Sequence, residues 1–168
     1  SGTLSGTKTV SASSGLATFA GLSINKAGIG YTLTASATSR TGATSSTFSI
    51  AAGVASTIAV NAGNGQSATA GQAVRTDPSV IVKDVNGNPK AGVSVTFAVA
   101  TGGGTVVPTS AVTTDASGIA TVTSWTLGTT AGANSLTATS AGLTGSPVTF
   151  TATGVAGAAT QIAVNAGN

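Results

Sequence analysis

Residues 92–99 read GVSVTFAV, and the alternation in that stretch sets the fold class. Val93, Val95, Phe97 and Val99 fall on one face and Ser94, Thr96 and Ala98 on the other, which is the period of a half-buried strand. Outward from it the same pattern recurs at Val80 and Val82, at Ala120 and Val122, at Leu136 and Ala138, and at Val148, Phe150 and Ala152. Thr, β-branched and abundant, favours extended backbone, whereas NAGNGQ at 61–66 and DVNGNP at 84–89 are turn chemistry. No segment combines helix caps with a 3.6-residue period. Many short strands separated by turn signals predict an all-β chain, built as a Greek-key sandwich rather than a parallel α/β sheet.

The chain also repeats itself. STIAVNAGN at 56–64 returns as TQIAVNAGN at 160–168, SGLATF at 14–19 as SGIATV at 117–122, and YTLTASA at 31–37 as NSLTATS at 134–140. A period of about a hundred residues is too long for short-repeat solenoids and matches an immunoglobulin-like sandwich. The expectation is therefore immunoglobulin-like Greek-key β-sandwiches in tandem. Residues 1–55 would form an incomplete domain holding later strands only, and residues 56–158 a complete domain. Residues 159–168 would be the first strand of a following copy or a donor strand for a neighbouring subunit.

Residues 58–153 resemble a bacterial immunoglobulin-like repeat of the intimin and invasin type. The resemblance rests on the D-x-x-G-x-P turn formed by Asp84, Gly87 and Pro89, and continues through GVSVTF at 92–97, GGGTV at 102–106, TDASGIATV at 114–122 and AGANSLTA at 131–138. Residues 1–55 are similar to the later half of the same repeat and have no counterparts of the strands within 58–99. Such repeats build rods on bacterial surfaces that project adhesive tips, so the resemblance implies an extracellular or cell-surface bacterial location. Some bacterial surface domains carry a Lys to Asn crosslink, for which Lys83 and Lys90 are the candidates; exposed lysines flanking a hairpin are the preferred reading.

Composition removes most other functions. Charged residues are 5% and hydrophobic residues 40% of 168 positions, a balance too apolar for disorder and too poor in charge for an ordinary soluble domain. No apolar run is long enough for a membrane span. The net charge is +3, but Lys8, Lys26, Arg40, Arg75, Lys83 and Lys90 are scattered, without the clustered cations and interleaved aromatics that nucleic acid requires. There is no His, Cys or Glu, and the carboxylate side chains are those of Asp77, Asp84 and Asp115. That inventory excludes a Ser-His-Asp triad, a thiolate nucleophile and ordinary zinc sites, and it argues against an enzyme or a bound cofactor. The three Asp occupy turn-like positions, better suited to satisfying backbone groups than to paired-carboxylate chemistry.

Asp84 to Asn88 superficially resembles the start of a calcium loop, yet Pro89 stands where that loop needs Gly and no distal Glu exists, so a plain turn is preferred. Gly102, Gly103 and Gly104 read as a flexible turn rather than a phosphate cradle, and Trp125 as core. Abundant Ser and Thr on solvent faces permit O-linked glycans, and there is no N-x-[ST] sequon.

An incomplete sheet cannot leave its apolar face and edges bare. The exposed set predicted for residues 1–55 is Phe19, Leu22, Tyr31, Leu33 and Phe48, an acceptor face. Ile162 and Val164 alternate on the strand that a neighbour would donate. The expected function is a structural subunit of an extracellular bacterial filament, a head-to-tail homopolymer joined by β-strand complementation. A single strand replaces only part of what is missing, so either a smaller sandwich suffices or further contacts cover the face. The alternatives are a stalk segment of a long multi-repeat adhesin and a carbohydrate- or receptor-binding module.

Overall fold

The computed structural model describes residues 2–162. By its contacts the chain divides into two compact units, Ser1–Val54 with Asp84–Asn88, and Ala55–Lys83 with Pro89–Asn168. Among the described residues every regular element is a strand or an isolated bridge, and no helix is long and apolar enough to cross a membrane.

The first unit has six short strands: β1 (Leu4–Ser5), β2 (Ser23–Ile24), β3 (Gly28–Tyr31), β4 (Thr34–Ala35), β5 (Ala43–Thr44) and β6 (Phe48–Ile50). They pair as antiparallel ladders of two, β1 with β2, β3 with β6 and β4 with β5. Isolated two-stranded ladders of this length are marginal in water, because few backbone bonds offset the entropy of ordering them.

The second unit is an all-β immunoglobulin-like sandwich. Its strands are β7 (Ala55–Ala62), β8 (Gln66–Thr69), β9 (Ser79–Asp84), β10 (Ser94–Thr101), β11 (Gly104–Val107), β12 (Val112–Thr113), β13 (Ile119–Thr121), β14 (Ser124–Leu127), β15 (Gly132–Thr139) and β16 (Val148–Val155). One sheet runs β12-β10-β15-β16-β8, a second β13-β9-β7, and β11 pairs with β14. The central ladders are antiparallel, Leu136 facing Phe150 between β15 and β16, whereas the edge strand β8 joins β16 in parallel.

Alternation places the core as the sequence predicts. On β16 burial alternates over the whole strand, with Val148, Phe150 and Ala152 inward and Thr149, Thr151 and Thr153 outward. On β10, Val95 and Phe97 are buried while Val99, towards the strand end, is only half-buried. These side chains meet Ile58, Val80, Val82, Ala120, Val122, Trp125 and Leu127 in one continuous core. Phe97 and Phe150 lie with ring centroids 6.4 Å apart, within the range where tilted aromatic pairs attract. Trp125 is wholly buried, and its indole N–H has no acceptor among the described residues. Its large apolar area outweighs a polar cost of about 1–3 kcal/mol.

The Gly102–Gly104 turn is packed rather than loose. All three glycines have positive φ, 84°, 76° and 89° in order. A Cβ on Gly104 would strike the Thr126 carbonyl, and one on Gly102 the side chain of Asn134. Asn134 is itself buried, accepting from the Gly128 N–H at 3.0 Å and donating to the Gly132 carbonyl at 3.1 Å. The turn thus needs glycine twice over, for conformation and for room.

Phe150→Ala is expected to destabilise the sandwich by about 3–5 kcal/mol in urea titrations. Gly104→Ala should cost clearly more than Gly65→Ala, because Gly65 shares the positive φ (71°) but faces open space. The Gly65 change should cost only the backbone strain, about 1–2 kcal/mol.

Candidate assembly face

Residues 14–37 run against 117–140 without a gap, so positions in the core of the second unit have counterparts in the first. Ala120, Val122, Trp125, Leu127, Leu136 and Ala138 are buried. Their counterparts Ala17, Phe19, Leu22, Ile24, Leu33 and Ala35 are half-buried or exposed, Phe19 at 40%. Among the described residues of 2–54, no hydrophobic side chain is buried. Each Leu, Ile or Phe left in water forgoes roughly 1.5–3 kcal/mol of burial free energy. The same sequence pattern that makes a core in one unit makes an open apolar face in the other.

Local structure gathers that face. The β1–β2 ladder sets Leu4 opposite Ile24. Between β3 and β6, Tyr31 lies opposite Phe48 with an irregularity after Gly28, and the two rings stack with centroids 6.0 Å apart. The Tyr31 hydroxyl donates to the Lys26 carbonyl at 3.0 Å. The equivalent ladder of the second unit has Leu136, not Asn134, opposite its Phe, so the first unit pairs in a shifted register. Phe19, Leu22 and Leu33 line one groove of about 180 Å³ with Leu4 and Lys8. Leu22, Leu33 and Phe48 line an adjoining one of about 90 Å³ with Leu4, Ile24 and Ile50. A third groove of about 310 Å³ runs along Ala17, Phe19, Ala35, Ala37 and Thr41. The structure therefore brings Phe19, Leu22, Leu33 and Phe48 onto connected grooves and attaches Tyr31 through its stack on Phe48. On the donor side, Ile162 is fully exposed, and Val164 lies outside the described residues.

Sequence reading missed the polar centre of the first unit. Asp84 and Asn88 are its buried residues. The Asp84 carboxylate accepts four N–H groups: Gly53 at 2.8 Å, Asn86 at 2.9 Å and Asn88 at 2.8 Å from the backbone, and the Asn88 side-chain amide at 2.9 Å. Asn88 in turn accepts from the Ala27 N–H at 3.0 Å and donates to the Asn25 carbonyl at 2.9 Å. The D-x-x-G-x-P pattern signalled a turn, but nothing local announced that its Asp and Asn would bind backbone distant in sequence. Both carboxylate oxygens face donors, which suits an anion and repels a cation, so this geometry is a turn device and not a calcium loop. The Asn88 amide lowers the Asp84 pKa to about 2 from an ordinary 3.8; the Gly53, Asn88 and Asn86 N–H groups act with it and desolvation acts against them.

The remaining ionisable groups are dispersed. Asp115 holds its own turn by accepting from Ser117 and Ile119 N–H at 2.8 and 2.9 Å, and Asp77 is exposed. No three metal-ligating side chains cluster among the described residues. Lys83 and Lys90, expected as exposed flanks of the hairpin, are half-buried.

No family model and no curated protein matches this chain. Among solved structures, the D00-D0 domain of intimin is similar at 24% identity over 74% of this chain and 64% of that one, with a TM-score of 0.48. FdeC, an Escherichia coli adhesin, is similar at 20% identity over 67% of this chain and 35% of that one, with a TM-score of 0.49. The chain spans less than two thirds of the length of either.

Two outcomes are expected here. The Asp84 carboxyl carbon should titrate by NMR with a midpoint near 2; because the folded pKa is the lower one, its contribution to stability is present above pH 3.8 and is lost as pH falls through 2. A midpoint at the ordinary value would contradict the four-donor arrangement. In dispersed subunits, Leu136→Ala should cost about 2–5 kcal/mol, whereas Leu33→Ala at the equivalent half-buried site should cost under about 1 kcal/mol by urea unfolding.

Proposed function

We propose that this protein is a structural subunit of an extracellular bacterial filament, assembled head-to-tail by β-strand complementation between immunoglobulin-like domains. One observation carries the reading. The first unit keeps the core-facing pattern of the repeat without a buried apolar residue, while residues 160–168 duplicate the strand that opens the complete unit. In the second unit that strand is β7, and its Ile58 is buried in the core. Chemistry adds little that competes with a mechanical role: the carboxylates of Asp84 and Asp115 are occupied with turn N–H groups. The bacterial surface setting, and O-linked glycans on the hydroxyl-rich faces, belong to the same proposal and rest on the sequence resemblance and composition.

Complementation works because an added strand satisfies the backbone groups of an exposed edge and seats alternate side chains in one step. Donor and acceptor are different surfaces, so the contact does not close on a pair and propagates as an open filament.

Negative-stain microscopy of native material, with the intact mass of its dissociated subunit, tests this. Filaments that dissociate without bond cleavage into subunits each holding one copy of this sequence are expected, and Ile162→Asp should abolish them while leaving the second unit folded. A far larger covalent chain would make this a stalk segment, and compact monomers would favour a binding module.

A further inference from the structure

The second unit shows how its opening strand enters the sandwich. Thr57 bridges Thr144 in parallel, the Ile58 N–H donating to the Thr144 carbonyl at 3.0 Å and the Thr144 N–H to the Ser56 carbonyl at 2.9 Å. Gly145 lies so close to the Ile58 carbonyl that a Cβ would collide with it. The first unit keeps the first bend of this turn. Residues 38–42 are the counterparts of 141–145, Ser39 (φ 59°) standing where Gly142 (φ 77°) makes the equivalent bend and Thr41 where Thr144 bridges. Gly42 is the counterpart of Gly145, yet its φ lies outside the left-handed region, and a Cβ there would meet only the Ala35 carbonyl at 3.2 Å. Its own unit crowds that position less than the second unit crowds Gly145, the contact being tight but not a collision. Beside it runs the 310 Å³ groove formed by Ala17, Phe19, Ala35, Ala37 and Thr41, and Ala17, Phe19 and Ala35 are the counterparts of the buried Ala120, Val122 and Ala138.

Resting on the complementation reading, we propose that residues 160–162 of a second copy enter the first unit parallel to the segment at Thr41, Gln161 bridging Thr41 and Ile162 seated in that groove. The register follows from the duplication, since Thr160, Gln161 and Ile162 stand where Ser56, Thr57 and Ile58 stand. The Ile162 N–H then donates to the Thr41 carbonyl, the Thr41 N–H to the Thr160 carbonyl, and the Ile162 carbonyl passes over Gly42. Groove and donor are both uncharged, so seating removes no ion from water, and the two hydrogen bonds pair edge groups of this segment.

The chain has no cysteine, which makes a disulfide trap clean. The double variant Thr41→Cys with Gln161→Cys, oxidised under filament-forming conditions, is expected to give a ladder of covalent multimers on non-reducing gels. Thr41→Cys with Thr160→Cys, one position out of register, should trap less than roughly a tenth as much, because its side chain points to the other face. Gly42→Ala in the otherwise natural chain should raise the concentration needed for filament growth at least about tenfold, with the dispersed subunit destabilised far less than by Gly145→Ala. Filaments that form normally but trap equally in both registers, or ignore Gly42→Ala, would overturn this seating and leave complementation standing. A fast-migrating monomer would show that the tail closes on its own unit, and the absence of filaments in the natural chain would remove the underlying reading itself.

Discussion

A β-sheet has two faces, and the apolar one is stable only against something dry. Everything else in this molecule follows from how each unit meets that constraint. In the second unit the face of β15 and β16, with Leu136, Ala138, Val148, Phe150 and Ala152, is covered by Val80 and Val82 from β9, Ile58 from β7, and Trp125 and Leu127 from β14. In the first unit Leu33, Ala35 and Phe48 repeat that pattern with no covering layer among the residues 2–54. Side-chain identity is nearly the same, and burial differs because the opposing layer differs. The ladders respond as expected: strands reach eight residues where two layers hold each other, and none exceeds four where they do not.

The glycines and the buried polar groups show how little of the second unit is left to chance. A covered apolar core tolerates few open turns at its rim, and the turn at Gly102–Gly104 is closed by backbone approaching too near for any Cβ. Asn134 fastens the same corner. In the first unit the equivalent anchoring is polar: the Asp84 carboxylate gathers four donors and Asn88 adds two partners. With no dry core, hydrogen bonds to a shielded anion are the stronger of the available restraints, since charge-assisted bonds exceed neutral ones about twofold.

Much of the fold was legible because period-two alternation is a local signal. Val95, Phe97, Val148, Phe150 and Ala152 could be placed inward from neighbours alone, and Trp125 with Leu127 followed from the shared stripe. The open face was legible only by comparison within the chain, through the copies at 14–37 and 117–140. What was illegible is non-local. The partners of Asp84 at Gly53 and of Asn88 at Asn25 and Ala27 are set by folding and not by spacing. The shifted pairing of Tyr31 with Phe48 reflects a ladder too short to enforce the register that its repeat adopts elsewhere. Asn61 and Ala62, read as turn from their composition, extend β7, because pairing in a sheet outweighs the turn preference of a single Asn.

The second unit also shows how much of its core one opening strand supplies. Strand β7 contributes Ile58 to the core, whereas β9 and β10 contribute Val80, Val82, Val95 and Phe97. On the proposed seating, a tail equivalent to β7 would cover the Thr41 side of the first unit and leave the Leu22, Leu33 and Phe48 side to other contacts. Such contacts would be apolar, because the face carries Lys8 alone among charged groups lining its grooves. An interface of that kind would gain no electrostatic steering, so its association would be slow relative to charged pairs and its persistence would rest on a small dissociation rate. In a filament built this way growth would be limited by docking, and with a strand threaded and its neighbour laid over the face, removal would require breaking both at once, which suits a filament better than a reversible receptor contact.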